Sequence, residues 1–356
     1  MTVLRRTDNR HILLGTLVLG AVAVVGLYVV KWNPYFYKAL EAASSHSIGE
    51  PIAGKDAPAP SVGAALGYAA AYFLAVWKAM VLGLLIGSGV QALLPRGWLA
   101  RVLGGAGFGS STVAAALAVP SMMCTCCATP VAVGLKRCKA STGAATAYLL
   151  GNPMLNPATI VFMGFVLGWG WSALRVATAV PLVFGAAYLA DRLAPGEADV
   201  VRTAEVSGAE RLEAEGEDNP FVRWAKVFAR MVALLVPEYL VVVLLLGAAQ
   251  AFVFPYIEFS SVGAGLSLLL ALWLAVGGTL FVIPTAGEVP IVQALTVAGL
   301  GPLGAGILFT TLPAISLPSL VMAGWAFPKR VLAMLALLVA LMGLVTGLVA
   351  LAFGLS

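Results

Sequence analysis

Histidine is nearly absent from this chain: His11 and His46 are the two in 356 residues, and both sit near segment ends or in a loop. That argues against a histidine-built zinc or copper centre. Charge is scarce too, with Asp, Glu, Lys and Arg making up 10% of residues, against roughly 25% in a soluble domain. No G-x-x-x-x-G-K-[ST] loop occurs, so any drive for transport is expected from a gradient or a partner. Cysteine is missing from all but one short window, which holds Cys124, Cys126, Cys127 and Cys138. Three of them crowd together in apolar surroundings, which is not the pattern of a disulfide scaffold.

What is present is apolar. The hydrophobic fraction is 61%, and many runs exceed the ~18 residues that read as a spanning helix. The reading is an all-α polytopic membrane protein. Its 39 glycines and 20 prolines fit close helix packing and broken helices. The net charge of +5 does not point to nucleic acid, because the basic residues stand at segment ends, where orientation signals stand. Arg5, Arg6 and Arg10 precede about twenty apolar residues, longer than a signal-peptide core, so a first span with a cytoplasmic N-terminus is expected.

In order, the chain shows an apolar run at about 11–30, a polar loop at about 31–63, and a long run at about 64–94 carrying Lys78 and ending at Pro95. A third run ends near Met123. Two short apolar pieces, about 126–136 and 141–151, flank the basic turn Lys136-Arg137-Cys138-Lys139; the second continues to about 170, and another run covers about 173–190. Residues 191–222 hold nine of the sixteen acidic residues and read as a solvated cytoplasmic linker. The expected division is 1–190, 191–222 and 223–356.

The second half echoes the first at an offset of 160 residues: Gly87 meets Gly247, Thr125 meets Thr285, Pro130 meets Pro290, and Pro153 meets Pro313. Internal repeats of this kind are common in secondary transporters. The RGWLAR and KRCK links of the first half are basic, whereas their counterparts near 255–261 and 297–304 contain no Lys or Arg. Because positive short loops mark the cytoplasmic side, we expect two inverted repeats of about five hydrophobic segments each, with broken or re-entrant helices at mid-membrane.

Candidate site residues follow from the breaks. Cys126 and Cys127 stand where a short helix should begin, before Pro130, with Cys124 just ahead. A helix N-terminus turns unpaired N–H groups and a positive dipole end toward such sulfurs. Thiolates are soft ligands, suited to thiophilic species rather than magnesium or calcium, although free cysteine is also a good core residue. Cys138 lies in the basic turn, as an incidental thiol or a relay. Asn152-Pro153 and Asn156-Pro157 break the following helix, and the two amides either cap the break or face a cavity. Ser316, between Pro313 and Pro318, marks the equivalent break. Glu288 reads either as the far end of a capping box from Thr285 or as a buried proton-coupling carboxylate. Lys78 and Glu238 fall at equivalent positions, where each charge costs ~2.5–3.5 kcal/mol at the centre of a lone helix. Opposite signs there suggest an ion pair, static or gating.

These residues carry a resemblance. PSMMCTCCATPVAVGL, the Gly-Asn-Pro-x-x-Asn-Pro run from Gly151, and IPTAGEVPIVQAL resemble the ArsP-type permeases, over most of residues 64–327. The resemblance implies a bacterial inner-membrane carrier that exports trivalent organoarsenicals, with Cys124, Cys126 and Cys127 matching the family's cysteine-bearing motif. Trivalent arsenic with one organic group offers two bonds to sulfur, which two or three close thiols can take.

The leading expectation is a secondary transporter exporting a thiophile, with Cys124, Cys126, Cys127, Asn152, Asn156 and Ser316 at the cargo and Glu288, Lys78 and Glu238 in coupling or gating. Its partners would be a small-molecule solute and the lipid bilayer, without nucleic acid or cofactor. One alternative is a CcdA-like membrane thiol oxidoreductase. That reading suffers because Pro284, Ala286 and Gly287 stand in the second half where the first has its thiols. The other alternative is a soft-metal permease.

Overall fold

The computed structural model describes residues 9–49, 61–194, 219–253 and 264–355. Most of the expected acidic linker, part of the 31–63 loop and the 255–261 link lie outside the described residues. Within them the chain is helical throughout and multi-pass: seven helical stretches are long and apolar enough to cross a bilayer.

The first span runs further than its apolar core suggests. Helix α1 (Asn9–Leu27) passes through a π-turn (Tyr28–Trp32) into α2 (Asn33–Ser45). This corrects the expected loop, which begins only after Ser45. The physical reason lies at Pro34, whose ring would clash with the carbonyl four residues back and which has no N–H to give. The preceding turn widens, Asn33 N–H reaching Tyr28 O five residues back, and the helix continues without breaking. His46 then ends α2 in the left-handed region, with its Nδ1 2.6 Å from Phe165 O.

Helix α3 (Val62–Leu93) is followed by α4 (Arg96–Leu103) and α5 (Phe108–Ser121), which are bent from one another by 105°. Next come α6 (Thr125–Arg137), α7 (Thr142–Met154), α8 (Pro157–Leu167) and α9 (Trp169–Leu193). The second half comprises α10 (Pro220–Val253), α11 (Ala264–Leu280), α12 (Glu288–Val297), α13 (Pro302–Ala314), α14 (Leu317–Ala323) and α15 (Lys329–Ala352).

The offset of 160 residues places the start of α7 on that of α13, α8 on α14, and α9 on α15. Packing follows the same correspondence. The pairs α5–α7, α6–α7 and α7–α9 recur as α11–α13, α12–α13 and α13–α15, while α6 packs on α14 as α8 packs on α12. At 1.5 Å per residue the 13 residues of α6 reach about 20 Å, short of a hydrocarbon core of ~30 Å. Each half thus holds short helices that end inside the protein.

Small residues set how closely these pieces approach. A Cβ on Gly83 would run into the Cys127 carbonyl, and one on Gly87 into the Pro130 carbonyl. Helix α3 therefore lies backbone to backbone against α6, the small-residue contact by which membrane helices pack closely. Leu14, Leu17, Val24 and Val25 on α1, and Leu337, Leu341 and Val345 on α15, point outward. These are the faces suited to lipid.

Candidate functional site

The thiols gather where α5 turns into α6. Met122 takes the left-handed conformation that ends α5, Met123 follows, and Cys124 is the extended N-cap of α6. An N-cap side chain folds over the first helical turn, toward the second and third residues. In this sequence those are Cys126 and Cys127. Cys124 Sγ lies 3.1 Å from Cys126 Sγ and 3.0 Å from Cys127 Sγ. All three sulfurs fall within 4.8 Å of one another, and all are buried. The C-x-C-C spacing is what brings three thiols to one point. Cys138 is elsewhere, buried at the other end of α6, with its Sγ 3.7 Å from Val90 O.

Tyr72 and Tyr239 close the far side of the cluster, and Tyr68 stands between them and the cavity that Cys124 faces. Tyr72 Oη is 3.3 Å from Cys126 Sγ and donates to Ile283 O at 3.2 Å. Tyr68 donates to Val282 O at 2.5 Å. The Tyr72 ring lies 6.1 Å from that of Tyr239, whose hydroxyl has no hydrogen-bond partner among the described residues.

On the near side Cys124 faces a cavity of about 330 Å³ between α2, α3 and the turn before α12. Its wall carries Lys31, Lys38, Lys78, Tyr35, Tyr68 and Thr285. Lys31 is buried, donating to Thr285 Oγ1 at 3.0 Å and to Tyr35 Oη at 3.4 Å. A second, much smaller gap, about 10 Å³, separates Cys124 from Asn156, Pro153, Pro313 and Glu288. Cys124 is the one thiol that borders both spaces; Cys126 and Cys127 stand behind it.

Of the two Asn-Pro pairs expected to break the helix, only Asn156-Pro157 does so; α7 runs through Asn152-Pro153 to Met154, because the Pro sits in its last turn. Asn152 Nδ2 donates to Tyr148 O at 2.9 Å and its Oδ1 accepts from Met123 N–H at 3.3 Å, bracing the α5–α6 turn. Asn156 Oδ1 accepts from Ala158 N–H at 3.0 Å and Thr159 N–H at 3.4 Å, which caps α8. Its Nδ2 is buried beside the small gap with no partner among the described residues. Ser316 caps α14, its N–H bonded to Ser319 Oγ at 3.0 Å, and it lines neither cavity.

Glu288 departs from the capping-box expectation. It opens α12, but Thr285 Oγ1 is engaged by Lys31, and Glu288 Oε1 lies 3.0 Å from Arg175 Nη2. Arg175 is the residue that sequence reasoning missed. It comes from the second turn of α9, buried inside the protein, and donates to Pro153 O at 2.7 Å, Phe309 O at 3.0 Å and Met154 O at 3.3 Å. A lone arginine in an apolar run was the signal. Lys31 was missed because the first span was expected to end before it.

Lys78 and Glu238 do not pair, contrary to expectation. Lys78 Nζ sits 5.8 Å from the Trp77 ring centroid, on the cavity side. Glu238 Oε2 accepts from Trp325 Nε1 at 2.8 Å. Helices α3 and α10 meet through Tyr72 and Tyr239, and that contact turns the two charges to different sides.

Residues 121–351, which hold the thiol turn and both helix breaks, match the ArsP_1 family, described as a predicted permease. The chain belongs to this permease family. It is 44% identical over 334 residues to the UPF0718 protein YraQ of Escherichia coli (strain K12), covering 93% of each chain. No solved structure matches this permease. Family membership agrees with a membrane transporter rather than an enzyme.

Proposed function

We propose that this permease exports a thiophilic solute, with trivalent organoarsenicals as its cargo, by alternating access of two inverted halves in a bacterial inner membrane, its N-terminus cytoplasmic. The observation that carries the reading is the triad of buried thiols at the end of a cavity, beside two helix breaks. A monosubstituted trivalent arsenical carries two hydroxyls. Cys124 with Cys126 or Cys127 would exchange both As–O bonds for As–S bonds, the two thiol protons leaving with the hydroxyls as two waters. No electron is transferred, so the reverse exchange releases the cargo unchanged. Three sulfurs at this spacing let one As–S bond form before another breaks, which keeps the bound state from becoming a trap.

In this reading Asn152, Asn156 and Ser316 hold the broken backbone that shapes the site. Glu288 is the coupling carboxylate, next to the gap that Cys124 borders. Lys78 and Glu238 act as gating charges in separate places. The same triad also supports a soft-metal permease, since soft cations take thiolate ligands.

The test is uptake of methylarsenite into everted membrane vesicles, wild type beside Cys126→Ser/Cys127→Ser, with and without a protonophore. Uptake that vanishes in the double variant and falls with the protonophore supports thiol exchange and gradient coupling. Undiminished uptake in the variant removes the thiols from the mechanism. A folded wild type that moves cuprous ion but not methylarsenite replaces the cargo and keeps the site.

A further inference from the structure

The large cavity has one sign of charge. Lys31, Lys38 and Lys78 line it, and among the described residues none of its lining is Asp or Glu. Lys31 is buried, yet its partners are two hydroxyls, those of Thr285 and Tyr35, with the Tyr35 ring 5.2 Å from Nζ. Lys78 has the Trp77 ring for a neighbour, not a carboxylate. The nearest acidic residue along α2 is Glu41, one turn beyond Lys38, and it lines neither cavity. Burying an ammonium without a counter-charge is expensive, and ionisable groups within spanning segments generally mark a solute path. The cationic wall and the thiols share one space, because Cys124 lines it too.

We propose that this cavity is a cationic vestibule that selects thiol-reactive solutes bearing a negative charge and delivers them to Cys124. The inference rests on the transport reading and refines it: among solutes with a soft, sulfur-seeking centre, the vestibule favours those that also carry an anionic group, such as a carboxylate or sulfonate. The volume of about 330 Å³ fits a small molecule of this kind, being at the lower end of the usual range for ligand pockets. Low-dielectric walls of one sign concentrate the opposite charge. The lysines act as recruiting groups and the sulfur as the bonding group. An anionic lipid headgroup would offer the lysines the same chemistry, so the experiment separates the two sources.

The test reads charge preference at Cys124 without relying on any arsenical. Full-length permease in phosphatidylcholine liposomes is treated with a sulfonate-bearing methanethiosulfonate or its trimethylammonium analogue. Each reagent forms a mixed disulfide with a cysteine and releases methanesulfinate; peptide mass spectrometry follows Cys124. The anionic reagent should modify Cys124 about tenfold faster or more. The preference should disappear in Lys38→Met/Lys78→Met and survive in Lys38→Arg/Lys78→Arg. Equal rates in wild type, a preference unchanged by Lys38→Met/Lys78→Met, or no modification of Cys124 by either reagent overturns the proposal. So does a preference that collapses when phosphatidylglycerol is added, because the lysines would then be held by headgroups. Loss of charge preference with methylarsenite uptake intact defeats the vestibule alone. A preserved preference without arsenical uptake defeats the cargo reading alone.

Discussion

Arg175 Nη1 donates to the carbonyl oxygen of Phe309 at 3.0 Å, the acceptor that Pro313, four residues on in α13, has no N–H to serve. The same guanidinium reaches Pro153 O at 2.7 Å, left open because Pro157 follows four residues later. It also reaches Met154 O at 3.3 Å, whose helical donor, Ala158 N–H, has gone to Asn156. One side chain thus repairs a broken helix in each half, and its charge is met by Glu288. In lipid, freed carbonyls must find a donor inside the protein.

Replacing Arg175 with glutamine should therefore destabilise the permease by ~3–5 kcal/mol, the cost of leaving a buried charge unpaired. Arg175→Gln/Glu288→Gln should recover part of that loss, because the stranded carboxylate is removed while the carbonyls stay short of donors. Thermal unfolding in detergent of the two single variants and the double one measures both effects.

Alanine at Gly83 or Gly87 should cost ~1–3 kcal/mol, the range for overpacking, since the added methyl meets backbone carbonyls that have no rotamer to escape into. Gly185, within α9, has open space at the same position. There the alanine should be neutral or stabilising by up to ~1 kcal/mol. Melting temperatures of the three variants give the comparison.

How far the sequence carries depends on what each residue answers to. The breaks at α8 and α14 were legible because proline and Asn-Pro act on the backbone locally, and both helices begin where those signals stand. The thiol cluster was legible for the same reason, C-x-C-C being a first-turn geometry. Pairings between distant residues were not. Arg175 and Glu288 meet through the packing of α9 near α12, which no local pattern encodes, and the proposed Lys78–Glu238 pair failed because symmetric positions need not face one another. The π-turn at Tyr28–Trp32 hid Lys31 by carrying a helix past a proline that local rules treat as a stop.

Lys78 and Glu238 should behave independently. In a double-mutant cycle of Lys78→Ala and Glu238→Ala, the coupling energy should fall within the ~0.3–0.5 kcal/mol typical of non-contacting sites. Thermal stability in detergent reads the cycle, and a larger coupling would return the pair to the structure.

Asn156→Ala should cost ~1 kcal/mol through loss of the α8 cap, whereas Asn156→Ser keeps an accepting oxygen at the N-cap, adds no charge and removes the amide nitrogen that has no partner among the described residues. Stability should drop in the first variant. A drop of the same size in the second would show that the nitrogen matters as much as the cap.

The contact of α3 with α6 through Gly83 and Gly87 leaves no side-chain cushion between them. The two helices form one stiff block, which carries the sulfurs, Tyr72 and Lys78 together. The attachments of that block to the turn before α12 are of another kind: Tyr68 to Val282 O and Tyr72 to Ile283 O, single hydrogen bonds that can be traded for water. Any shift of the turn before α12 against this block breaks those two hydrogen bonds and no packed backbone.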